Sequence, residues 1–220
     1  MRALVAKSAP VLVVAALVTG CGAGDGADET GAGDSASAEM TAPGSLVSAR
    51  YAGTLAEPRR PAPPLALRDS FGRPVDLERF RGEAVIVAFV YVNCPDICPL
   101  IMDNLRTAQS ELGSKSDDLR VLAVSVDPER DTRQAVNRFL DAHRITDRVR
   151  YLIGSRPELE AIWHDWGVVS RESPKRNDPH FIEHSAMVYG VNASGEVTTL
   201  YPSSFDPEQI VHDVPILASQ

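Results

Sequence analysis

Eight apolar residues in a row, 84–91 (AVIVAFVY), stop two residues short of a pair of cysteines. A continuous run this rich in Val, Ile and aromatic residues is the pattern of a strand buried on both faces. Such a strand needs a layer of structure on each side, so the chain is expected to fold as an α/β sandwich. The cysteines follow in Tyr91-Val92-Asn93-Cys94-Pro95-Asp96-Ile97-Cys98-Pro99. Pro99 suits the first turn of a helix, where a missing N–H costs nothing. Cys98 then lies near a helix N-terminus, whose dipole is expected to lower its pKa. Two thiols at a strand end can bind a soft metal, copper(I) or zinc, or exchange disulfides as thiolate nucleophiles. A plain disulfide staple, or two buried reduced thiols, is the alternative reading of the same pair.

The rest of the alternation reads outward from that strand. Residues 65–67 and 74–77 flank the turn Asp69-Ser70-Phe71-Gly72 as a short hairpin. Ile101, Leu105, Ala108 and Leu112 recur at helical spacing up to Gly113. Residues 119–126 form a second central strand and 149–153 a third. Asp131 and Gln134 have the spacing of a capping box for a helix burying Val136, Phe139 and Leu140, and Ser155 with Glu158 caps a helix that ends at Trp166-Gly167. A polar loop is expected over 170–179. Strands at 185–191 and 196–201 then turn around Asn192-Ala193-Ser194-Gly195. A last helix begins at Asp206-Pro207, with Ile210, Val214 and Leu217 on one face. With paired cysteines after a central strand, this order predicts a thioredoxin-like sandwich: a central mixed sheet flanked by helices, with an N-terminal hairpin.

The first 64 residues have a different character. Arg2 and Lys7 precede a short apolar stretch that ends at Val18-Thr19-Gly20-Cys21. Charged, apolar and small-residue regions in that order make residues 1–20 an export signal, and the stretch is short for a membrane span. An aliphatic residue, two small ones and a cysteine resemble a bacterial lipobox, which implies cleavage before Cys21 and diacylation of its sulfur. Residues 21–64 are rich in Gly, Ala, Asp and Pro and have little to bury, so they are expected to be a disordered tether. Residues 65–220 are expected to be one domain. The chain carries a formal net charge of −8, and loss of Arg2 and Lys7 would take it to −10. No clustered basic face is expected, and so no nucleic-acid partner.

Three motifs together resemble the Sco/SenC family: Cys94-Pro95-Asp96-Ile97-Cys98-Pro99, Val126-Asp127-Pro128-Glu129-Arg130-Asp131-Thr132, and Glu183-His184-Ser185. The resemblance covers about residues 65 to 215. It implies a membrane-tethered, thioredoxin-fold metallochaperone that helps assemble the CuA centre of cytochrome c oxidase. The implied copper ligands are Cys94, Cys98 and His184, holding Cu(I) or Cu(II), with Cys94 and Cys98 also redox-active. The implied partners are oxidase subunit II or another copper-accepting protein, a thioredoxin-like reductant that keeps the dithiol open, and the outer face of the plasma membrane, reached through lipid on Cys21. Two thiolates and an imidazole suit copper(I) and fall short of the four ligands of structural zinc.

The chain departs from the family pattern at Val92, where a small polar residue is common, and at Glu183, where Asp is common. Adjacent strand residues face opposite ways, so Glu183 is expected to be a surface charge. His180 is expected in a loop and His164 on a helix surface. Residues 127–131 are expected to be a strand-exit loop, either docking a partner through its charges or forming a solvated turn with a helix cap. Asp96 either tunes the thiols or stabilises the turn. A membrane-anchored thiol–disulfide oxidoreductase, or a redox sensor, is the competing function. Against it stand the three residues between the cysteines, where thioredoxin-like enzymes carry Cys-x-x-Cys.

Overall fold

The computed structural model describes residues 50–175 and 180–220. Residues 1–20, Cys21 and the tether as far as residue 49 lie outside the described residues, as do residues 176–179. Among those described, no helix is long and apolar enough to cross a membrane.

Eight strands make one mixed sheet. In chain order they are β1 (Thr54–Pro61), β2 (Ala66–Asp69), β3 (Pro74–Asp76), β4 (Ala84–Val90), β5 (Leu119–Ser125), β6 (Arg150–Ile153), β9 (Val188–Val191) and β10 (Glu196–Tyr201). The spatial order is β1-β10-β9-β4-β5-β6-β2-β3. The apolar run is β4, buried at every position. It pairs in parallel with β5, which pairs in parallel with β6, while β9 lies antiparallel on its other side. The hairpin β2–β3 extends the sheet beyond β6. Two short strands stand apart as a separate antiparallel pair, β7 (Ser170–Glu172) and β8 (Ile182–His184).

Helices cover both faces. They are α1 (Ile97–Leu112), α2 (Arg133–Ala142), α3 (Arg156–Trp166) and α4 (Pro207–Leu217). Tyr189 and Gly190 are neighbours on β9, so they face opposite sides of the sheet. Trp166 of α3 meets the rings of Phe89 and Tyr189 on one side. Leu217 of α4 lies over Gly190 on the other. This is the thioredoxin-like sandwich that the alternation predicts. The capping box of Ser155 and Glu158 forms, and α3 ends on Gly167 in the left-handed region, a conformation glycine adopts without steric cost.

Three expectations need correction. The domain starts earlier than residue 65. Residues 54–61 are the edge strand β1, paired with β10, and Tyr51 is buried beside it. The prolines that read as linker are tolerated because an edge strand has one side that donates no ladder bonds, and the β1–β10 register is irregular between Leu55 and Arg60. Second, residues 170–172 are not loop but β7. Third, residues 185–187 are not strand: His184 ends β8, outside the main sheet, and β9 begins only at Val188. Three residues of irregular chain free His184 from the register of the large sheet.

Candidate metal centre

The C-terminal end of β4 delivers the chain into a tight turn, closed by the Cys94 amide donating to the Tyr91 carbonyl at 3.3 Å. Cys94 is 7% exposed, and Cys98, in the first turn of α1, is fully buried. The Cys98 amide donates to the Cys94 sulfur at 3.3 Å. The first turn of a helix has N–H groups with no partner within the helix, and here they point back at Cys94. That reverses the expectation for the two thiols. Cys94 is the low one, at about 5: the Cys98 thiol donates to it, the amides of Asp96, Cys98 and Ile97 add to the effect, and burial opposes it. Cys98 is pushed far up by the same hydrogen bond to Cys94, by burial and by the Cys94 charge. The loop thus holds one thiolate and one thiol.

His184 arrives from β8, 86 residues beyond Cys98, with Nε2 at 3.9 Å from the Cys98 sulfur. Its Nδ1 lies 3.0 Å from the Ser185 carbonyl oxygen. A carbonyl only accepts, so Nδ1 carries the proton and the Nε2 lone pair faces Cys98. Burial lowers the His184 pKa and keeps the ring neutral, against the Ser185 hydrogen bond and the Cys94 charge. This is the tautomer a metal ligand needs, with its second nitrogen held by a backbone acceptor. An ion with one thiolate at about 2.3 Å and one imidazole at about 2.0 Å, in trigonal geometry, separates the two ligand atoms by about 3.7 Å. The observed 3.9 Å fits that separation. Among the described residues, however, no three His, Cys, Asp or Glu side chains are gathered closely enough to hold an ion as they stand. Cys94 accepts from the α1 amides, and a sulfur can keep such bonds while it ligates, so joining the three donors needs only a closer approach of the side chains.

Cys94 and His184 line a concavity of about 670 Å³ whose walls also include Tyr91, Ile97 and Phe181, with Cys98 buried behind them. A second concavity of about 520 Å³ lies at the opposite end of the sheet, lined by arginines together with Asp117 and Asp147, and no thiol or histidine contributes to it.

Sequence reasoning misassigned Asp131. Thr132, not Asp131, caps α2, accepting from the Ala135 amide. Asp131 is 3% exposed and accepts from the Val92 amide at 3.0 Å, the Ser125 hydroxyl at 2.6 Å and the Tyr151 hydroxyl at 2.8 Å. Burial raises its pKa to about 6 despite those three bonds. It pins the turn that carries Cys94. Asp127 is buried too, accepting from Arg130 at 2.5 Å, while Glu129 between them is exposed, so the loop is anchored at both ends and solvated at its middle. A buried carboxylate bonded across 39 residues leaves no local spacing signal.

Of the remaining candidates, Asp96 reaches a sulfur, through its backbone. Glu183 is exposed and paired with Arg171 at 2.6 Å, as alternation predicts. His164 is 88% exposed, and His180 is exposed in a turn. Asp96 sits at the N-cap position of α1 without a side-chain capping bond, and acts on Cys94 through its amide.

Comparison with known proteins gives a consistent set. The SCO1/SenC family model matches residues 54–219. The human mitochondrial protein SCO2 homolog is 32% identical over 152 residues, covering 67% of this chain and 56% of its own length. The chain therefore spans little more than half of that relative. Among solved structures, Bradyrhizobium japonicum ScoI with copper bound superposes with a TM-score of 0.65 at 23% identity, covering 72% of this chain and 99% of its own. BsSco, described as a member of the Sco family of cytochrome c oxidase assembly proteins with a disulfide switch, superposes with a TM-score of 0.63 at 23% identity, covering 76% and 98%. At these identities the superpositions speak to the fold.

Proposed function

Because the chain belongs to the SCO1/SenC family, we propose that it is an extracytoplasmic copper metallochaperone that binds the ion through Cys94, Cys98 and His184 and passes it to a protein of the cytochrome c oxidase assembly route. The observation that carries this reading is the approach of His184 Nε2 to the Cys98 sulfur at 3.9 Å, with Nδ1 tied to the Ser185 carbonyl. A neutral imidazole whose free nitrogen faces a cysteine sulfur is set up as a third ligand beside two sulfurs. Metal ligands must be deprotonated. Cys94 and His184 already meet that condition near neutral pH, and Cys98 would release its proton to solvent on binding the ion, so loading would free one proton per chain. Soft thiolates favour copper(I), and the imidazole also accommodates copper(II).

The N-terminal region belongs to the same proposal. A lipid-modified Cys21 would hold the domain on the outer face of the plasma membrane and raise its effective concentration near a membrane-embedded client. Subunit II of the oxidase, bearer of the CuA centre, is the copper acceptor in this scheme. Outside the cytoplasm the dithiol is open to oxidation, so a thioredoxin-like reductant must keep it open.

The test is copper stoichiometry with and without prior reduction. The reduced protein should bind one ion per chain, and the oxidised protein none. Replacing Cys94 or Cys98 by Ala should abolish tight copper(I) binding. His184→Ala should weaken it and change the copper(II) spectrum more than the fold. Unchanged spectra and affinity in His184→Ala would remove the third ligand. The oxidoreductase reading draws support from the low Cys94 pKa beside a buried partner thiol. It requires a His184→Ala strain to keep function while the double cysteine variant fails. Normal oxidase activity in that strain would decide for thiol chemistry.

A further inference from the structure

Tyr91 is the last residue of the apolar run and the one with a polar atom. It is 1% exposed, and its buried hydroxyl makes no hydrogen bond of ordinary geometry, its polar neighbours being the Cys94 sulfur and the Ile182 backbone. A donor buried in this way forfeits its hydration with no return, and a phenylalanine would fill the same volume without that loss. The ring stands edge-on to His184, centroids 5.8 Å apart at 81°, and lines the concavity that holds Cys94 and His184. His184 offers it no acceptor, since Nδ1 is bound to Ser185 and Nε2 faces Cys98. A phenol donates through its O–H, and a thiolate or ligating sulfur can only accept.

Resting on the copper reading above, we propose that Tyr91 donates its O–H to the Cys94 sulfur whenever that sulfur carries charge, as a free thiolate or as a copper ligand. A hydrogen bond to a ligating sulfur withdraws electron density from it. That weakens its donation to copper(II) more than to copper(I), and such bonds tune the potential of copper–thiolate sites. Tyr91 would then bias the bound ion towards copper(I). The same bond stabilises the reduced dithiol, as thiolate stabilisation does in strongly oxidising disulfide proteins.

The experiment compares the full-length wild type with Tyr91→Phe. In the copper(II) form, the sulfur-to-copper charge-transfer band of the variant should move to longer wavelength. In the copper-free protein, equilibration against a glutathione buffer should shift about tenfold towards the Cys94–Cys98 disulfide, the scale of a hydrogen bond to a charged group. The oxidised variant should melt no lower than the wild type, because no structural partner is lost. An unchanged band with an unchanged dithiol equilibrium overturns the proposal, and so does a melting temperature several degrees lower in the oxidised state. If the wild type takes up no copper, the metallochaperone reading fails, and the glutathione equilibrium alone still decides on Tyr91.

Discussion

Cys94 and Cys98 have only three residues between them, yet their pKa values are driven apart first by the hydrogen bond between the thiols and then by the amides of the first turn of α1, which favour charge on Cys94. The amides converge on Cys94, while Cys98 is sealed beneath the helix. A folded pKa of about 5 for Cys94 has two consequences. Alkylation of the reduced protein should rise with pH through about 5 and level off before pH 7, at Cys94 first. A midpoint above 8 would refute the assignment. The sign for stability follows, since the unfolded thiol keeps its proton to higher pH. The contribution of Cys94 is fully present above its unfolded pKa and is lost as pH falls through about 5. How much of this was legible beforehand differs by residue. The pair itself was legible, because a strand exit followed by Pro99 fixes where the helix starts. Which thiol is lowered was not, since that depends on which sulfur donates to the other and on where the amides point. His184 was reachable only through the resemblance: 86 residues separate it from Cys98, and no spacing rule spans that distance. Asp131 was misread because its local pattern with Gln134 is that of an ordinary cap, and its true partners lie on β5, on β6 and in the Cys94 turn.

At the scale of elements, the site depends on how closely α4 can approach the sheet. Gly190, in the middle of β9, faces Thr199 and Leu217, and a Cβ added there would collide with the Thr199 hydroxyl oxygen. β9 pairs directly with β4, whose end carries Cys94. Gly190→Ala should therefore destabilise the domain by about 1–3 kcal/mol, as overpacking does. A denaturation midpoint equal to that of the wild type would show that the sheet and α4 can part without cost. Central elements such as β4, β5 and α3 were readable because their signals are strong and local: unbroken apolar runs, a capping box, a terminal glycine. The short pair β7–β8 was not. Three-residue strands carry too little periodicity to be distinguished from loop, and β8 happens to be the element that presents His184.

For the whole molecule, the N-terminal boundary is the instructive difference. Tyr51 is buried, the amides of Ala52 and Gly53 bind the buried Asp213 carboxylate at 2.8 and 2.9 Å, and β1 closes the edge of the sheet over β10. A chain cut to residues 65–220 should lose at least about 2 kcal/mol relative to 50–220, the burial of Tyr51 alone being of that order. Equal unfolding midpoints for the two would return the boundary to residue 65. Composition misled here because Pro58, Arg59, Arg60 and Pro61 suit an exposed edge as well as a linker. The direction of β1 has a mechanical consequence. Thr54 pairs with Leu200, and Leu200 and Tyr201 lie opposite Tyr189 and Val188, level with the last residues of β4. The chain thus enters the domain at the end of the sheet that bears the cysteines, three strands away from β4, or about 14 Å. On the proposed anchor, 28 residues lie between Cys21 and Arg50, a covalent reach of at most about 100 Å. A pull transmitted through the chain ahead of Arg50 would act on that end of the sheet, at β1 and β10, before it reached β4.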